Sequence, residues 1–168
     1  MAISLINDEI ILTPEQIAKF ERDYKITANM QKTCGQIIYG IVEEMGLIPK
    51  RKTKYGIDVK KVSDMTGLNP NIIYLLKNPD CRLEKSHVVS FALGLGLDVH
   101  ATAYILQANG MTFNTNSRID KAYVTLIEQY KGKEIEDYNA MLRDLGITDP
   151  RHYLGSKERG EYNTDDKE

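Results

Sequence analysis

Few residues in this chain have the types and spacing that catalysis needs. Cys34 and Cys81 are its only cysteines, and His87, His100 and His152 its only histidines. They form no CxxC or HxxxH pair, so neither a disulfide framework nor a four-ligand zinc site can be assembled from them. The cysteines read as one buried small hydrophobe and one loop thiol. Ser86 and His87 are neighbours in sequence, but no third group orients them as nucleophile and base. The acidic groups Glu43–Glu44, Glu134–Glu136–Asp137 and Asp165–Asp166 fall on helix exteriors or in the C-terminal stretch, where solvated charge accounts for them. Gly94-Leu95-Gly96 ends a helix and does not make a phosphate-binding loop. The expectation is a protein that is not an enzyme and holds no metal or cofactor.

What remains is the chemistry of a binding surface. The formal net charge of −2 conceals a division along the chain. Residues 1–49 carry a net −3, residues 50–87 a net +5 and residues 88–168 a net −4. The basic island is led by Lys50, Arg51, Lys52 and Lys54, followed by Lys60 and Lys61. A local basic patch in a chain that is not basic overall is the footprint of a site-specific nucleic-acid binder. Within the island, residues 59–78 read as two short helices joined by a tight turn containing glycine, the layout of a helix-turn-helix. Val62 should face the partner helix, Ser63 should be small where the helices cross, and Gly67 should take the left-handed turn conformation. Leu68, Ile73 and Leu76 should plug the core. Asn69, Pro70, Asn71, Tyr74, Leu75 and Asn78 are left facing outward on the second helix.

In that motif the second helix lies in the major groove with its N-terminal residues at the base edges. Asn69 and Asn71 offer the paired donor and acceptor that suit adenine. Tyr74 can reach a phosphate or a base edge, and Asn78 completes the expected base-contact set. Lys50, Arg51, Lys52, Lys54, Lys60, Lys61 and Lys77 are the expected phosphate contacts, which position a protein without reading sequence.

The elements that must hold these residues are helical throughout. Thr13, Pro14 and Gln16 make a capping box for a helix over residues 14–24, preceded by an extended arm over residues 3–12. Cys34, Ile37, Ile38, Ile41, Val42 and Met45 form an i, i+3, i+4 stripe that Gly46 ends. Asp58 caps residues 59–66, and Asn69 caps a helix running to about Asn78, where Pro79 ends it. Residues 83–95 place Val88, Phe91, Ala92 and Leu95 on one face. Asp98 caps the next helix, Ser117 caps residues 118–130, and residues 135–145 form the last. The stretch after Pro150 has no periodicity, and Ser156 onward reads as a disordered tail. At 168 residues, with 42% hydrophobic and 27% charged side chains, the chain has an ordinary globular balance. It has neither a signal-peptide start nor a run of the ~18 apolar residues that span a membrane. A cytoplasmic location follows.

Residues from about Met30 to Asp98 resemble an Xre-type (lambda repressor and Cro-like) helix-turn-helix domain. The stretch that follows, AYILQANGMTFNTNSRIDKAYVTLIEQYKGKEIEDYNAML, is similar to the extension trailing a group of bacterial Xre-like proteins. Gly110, Ser117, Asp120 and Asn139 sit where that pattern places them. The whole chain reads as all-α. The resemblance implies a five-helix domain over residues 27–98 and two extra helices within 99–148, while an N-terminal arm and helix over 1–26 and a tail over 149–168 lie outside it. The resemblance also implies a transcriptional regulator that binds double-stranded DNA as a homodimer. The chain departs from the pattern at Thr66, where an apolar residue is usual, and at Pro70 and Leu75, where Arg, Gln or Ser is frequent. With no arginine on the second helix, the commonest guanine contact is unavailable to it. The alternative is a non-catalytic protein-interaction module, an adaptor or antitoxin-like partner, that keeps the fold without the DNA.

Overall fold

A computed structural model describes residues 11–30, 32–51 and 55–160, so the expectations for residues 3–10, Lys52, Lys54 and residues 161–168 lie outside it. Among the described residues the chain is all-α, with eight α-helices and no strand. It divides into two compact units, residues 1–32 and 33–168.

The first unit is built on α1 (Pro14–Met30). Its start is the expected capping box, in which Thr13 N–H donates to Gln16 Oε1 at 2.9 Å and Gln16 N–H donates to Thr13 Oγ1 at 3.2 Å. The helix continues past Tyr24 to Met30, because neither glycine nor proline interrupts the intervening residues. Ile17, Phe20 and Tyr24 form an exposed stripe, with the last two rings stacked at 6.1 Å.

The second unit runs α2 (Cys34–Glu44), α3 (Val59–Thr66), α4 (Pro70–Tyr74), a 3-10 turn (Leu75–Lys77), α5 (Lys85–Leu95), α6 (Val99–Ala108), α7 (Arg118–Gln129), α8 (Ile135–Asp144) and a last 3-10 turn (Pro150–His152). Asp58, Asn69, Asp98 and Ser117 cap their helices as expected, each accepting a first-turn N–H. The fifth helix begins at Lys85, later than expected, because His87 Nδ1 accepts the Glu84 N–H at 3.2 Å and fixes the start there.

Two apolar clusters make the core. The first gathers Ile38 and Val42 of α2, Val62 of α3, Leu68, Ile73 and Leu76 around α4, and Ile105 and Leu106 of α6. The second gathers Tyr123, Leu126 and Ile127 of α7, Tyr138 and Leu142 of α8, and Tyr153 and Leu154. Helix α5 serves both, giving Val88, Phe91 and Leu95 to the first and Val89, Ala92 and Leu93 to the second. Ala92 therefore faces away from the stripe expected for it. The boundary expected at residue 98 falls between two helices, α5 and α6, that share the first core.

Two glycines set the closest approaches. A Cβ on Gly94 would stand 2.5 Å from the Met65 carbonyl oxygen, and one on Gly35 would stand 2.4 Å from that of Leu76. Gly94 thus brings α5 against α3. Ser63, expected to be small at a tight crossing, donates its hydroxyl to the Leu68 carbonyl at 2.6 Å.

The C-terminal segment corrects the expectation of a tail over residues 149–168, because its described part, residues 149–160, docks onto the helices. Leu154 N–H donates to Asn139 Oδ1 at 2.7 Å, and Asn139 Nδ2 donates back to the Leu154 carbonyl at 3.0 Å. Gly155 N–H donates to Ser90 Oγ at 2.9 Å, and Ser156 N–H to the Gly67 carbonyl at 2.8 Å. The Arg159 side chain, only 4% exposed, donates to Ser86 Oγ, the Arg151 carbonyl and the Glu84 carboxylate. Side chain to backbone bonds of this kind leave no hydrophobic period in the sequence.

Candidate nucleic-acid interface

The candidate surface is the outer face of α4, and its position is set from beneath. Asp58 accepts the Lys61 N–H at 3.1 Å and starts α3. Gly67 ends α3 at φ 70°, a left-handed conformation that glycine takes without a Cβ clash. Thr66, polar at an apolar position, is fully buried with its bonds made: it donates to the Val62 carbonyl at 2.8 Å and accepts the Leu68 N–H at 3.3 Å. Leu68, Ile73 and Leu76 then lock the inner face of α4 into the first core.

Asn71, Tyr74, Leu75, Lys77 and Asn78 are exposed on the other side. They do not lie on one continuous α-helix. The chain tightens into the 3-10 turn after Tyr74, and Asn78 leaves it at φ −71°, ψ 125°. Pro79 forces that exit, since the residue before a proline is pushed out of the helical region. Asn78 Oδ1 then accepts the Asp80 N–H at 2.9 Å, so this side chain serves the turn.

Asn69 needs a larger correction. It is buried, its side chain accepts the Asn71 N–H at 3.0 Å, and its own N–H donates to Ser156 Oγ at 2.8 Å. A capping amide held under the C-terminal segment does not face a base edge. Of the expected base contacts, Asn71 and Tyr74 are the two left on the first turns of α4 with exposed side chains.

Of the expected phosphate contacts, Lys50, Arg51, Lys60 and Lys61 are exposed, and Lys52 and Lys54 lie outside the described residues. Lys77 is exposed but held, with its Nζ 4.6 Å from the Tyr39 ring centre and 5.3 Å from that of Tyr55. Tyr55 stands between Tyr39 and Tyr74, edge-on to each at 5.6 and 5.2 Å. The Tyr39 hydroxyl donates to the Tyr55 carbonyl, and the Tyr55 hydroxyl donates to the Ile73 carbonyl. Burial, helped by the neighbouring Tyr39, pushes the Tyr55 phenol up to about 12. This bracket joins α2, the basic connection and α4. Sequence reading missed it because Tyr39 lies off the α2 stripe and Tyr55 sits among lysines without a period.

No family model, curated protein or solved structure matches this chain. The four residues singled out by the pattern of the C-terminal extension each have structural work. Gly110 turns the chain after α6 at φ 71°. Ser117 accepts the Asp120 N–H at 3.3 Å and caps α7. Asp120 is buried, pairs with Lys85 Nζ at 2.9 Å and accepts the Asn114 N–H at 2.7 Å. Asn139 holds Leu154. Among the described residues no group of three metal-ligating side chains occurs, and no helix is long and apolar enough to cross a membrane.

Proposed function

We propose that the chain is a sequence-specific DNA-binding protein, a bacterial transcriptional regulator of the Xre-like class that works in the cytoplasm as a homodimer and catalyses no reaction. In this reading α3, the Gly67 turn and α4 are a helix-turn-helix, and α4 enters the major groove. The observation that carries it is the pairing of an outward Asn71 and Tyr74 with a core-locked inner face on α4, in the most basic part of the chain. Asn71 presents an amide that can match adenine N6 and N7. Lys50, Arg51, Lys60 and Lys61, with Lys52 and Lys54, supply the phosphate contacts. The homodimer rests on the two half-sites that such proteins span.

The test is a salt titration of binding to a genomic duplex pool, with sequencing of the retained fragments. A steep fall of affinity with salt and an enriched palindrome support the reading. On the selected site Asn71→Ala should cost about 1–3 kcal/mol, with little change on random duplex, while Lys61→Ala should weaken both alike and reduce the salt slope by roughly one. Equal losses on both duplexes for Asn71→Ala would remove its base-reading role.

A second reading has its own observation. Tyr74, the last residue of α4, is 53% exposed and Leu75, which opens the 3-10 turn, 39%, an adjacent apolar pair that favours a protein-interaction module. No measurable binding to duplex at low salt would favour that reading over the first.

A further inference from the structure

Cys34 and Cys81 are far apart in sequence, and the fold brings them together. Cys34 opens α2, and Cys81 follows the Pro79 turn that ends the α4 region. The Cys34 sulfur lies 4.0 Å from the Cys81 carbonyl oxygen and 3.4 Å from Asn109 Oδ1. Both thiols are free; Cys34 is the expected core thiol on α2, and Cys81 is a loop thiol that is buried as well. A cleft of about 270 Å³ is lined by both cysteines together with Thr33, Asp80, Arg82 and Asn109.

The pair is chemically unequal. The neighbouring Cys81 side chain draws Cys34 below the ordinary thiol range, aided by the backbone N–H groups at the start of α2. The Cys34 side chain, with burial, pushes Cys81 up. That asymmetry separates an attacking sulfur from a resolving one.

We propose that Cys34 and Cys81 are a redox-active pair that a small hydroperoxide converts to a disulfide. The Cys34 thiolate attacks the peroxide's distal oxygen, the O–O bond breaks, and the leaving alkoxide or hydroxide takes up a proton as alcohol or water. Cys34 is then a sulfenic acid. The Cys81 sulfur attacks that sulfur, the S–S bond forms, and the departing hydroxide takes the Cys81 proton as a second product water. Two thiols are oxidised and one hydroperoxide is reduced. The bridge would join the start of α2 to the segment leaving α4, beside the close approach of Gly35 to Leu76. This inference goes beyond the DNA-binding reading and does not depend on it.

The test treats the full chain with hydrogen peroxide, blocks remaining thiols after denaturation, and maps peptides without reductant. The expected result is the loss of two hydrogens, one peptide linking Cys34 to Cys81, reversal by dithiothreitol, and a higher melting temperature for the oxidised chain. In Cys81→Ser, dimedone should trap a sulfenic acid at Cys34. In Cys34→Ser, Cys81 should stay reduced at the same peroxide dose. The proposal is overturned if the wild-type chain, still folded by circular dichroism, keeps both thiols alkylatable after peroxide, or if Cys81 is oxidised first.

Discussion

The phenol of Tyr55 donates to the Ile73 carbonyl while its own carbonyl accepts from Tyr39, so one side chain of the basic connection fixes the height of α4 over α2. A partly buried hydrogen bond of this kind contributes about 0.5–1.5 kcal/mol net, and Tyr55→Phe should lower stability by that amount near neutral pH. The pH dependence has a definite sign. Tyr55 holds its proton up to about 12 in the folded chain, against an ordinary value near 10. Between those values the unfolded chain loses the proton first, so the phenol's contribution is complete below the ordinary value and disappears as pH rises through the folded one. Chemical denaturation of wild type and Tyr55→Phe at a series of alkaline pH values should therefore show their stabilities converging across that window. A gap that stays constant would mean that folding does not raise the pKa of the Tyr55 phenol.

The C-terminal segment acts on α3 and α4 as an element of the fold. Its backbone is satisfied by Asn139 and Ser90, and in return it supplies Ser156 Oγ to the Asn69 N–H. Asn139→Ala would leave the Leu154 N–H and carbonyl without their buried partners, at a cost of about 1–3 kcal/mol. The same substitution should speed hydrogen exchange at Asn69, measured on the native chain, because the segment covering it loosens. Unchanged protection at Asn69 would separate the segment from the α4 start. The contrast in legibility has a physical cause. Helix starts were readable because Thr13, Asp58, Asn69, Asp98 and Ser117 act on N–H groups two or three residues away. The segment was not readable, because Asn139, Ser90 and Asn69 meet it across 15, 65 and 87 residues of sequence. The outward face of α4 was legible from the core positions opposite it. The role of Asn69 was not, because an N-cap side chain turned into its own helix and one turned toward solvent have the same spacing.

At the scale of the second unit, α5 decides whether the chain has one cooperative body or two. A helix buried on one side can let its neighbours open separately, but α5 gives Phe91 to the first core and Val89 to the second, and both are fully buried. Opening either core would expose a face of the same helix. Leu142→Ala, in the second core, should cost about 2–5 kcal/mol by the usual cavity penalty for a buried leucine. If α5 couples the cores, that loss should appear in the global opening free energy of α2 and α3 amides as fully as in α7 and α8, read by native-state hydrogen exchange. Helix α1, in the other compact unit, serves as the internal comparison. Loss confined to α7 and α8 would sink the coupling and make the C-terminal helices a separable layer. The same experiment bears on the binding surface. The base-reading face proposed for α4 rests on Ile73 and Leu76 in the first core, while Ser156 reaches its start from a segment anchored in the second. Coupled cores mean that a change at the C-terminal helices reaches α4 through packing as well as through that one hydrogen bond.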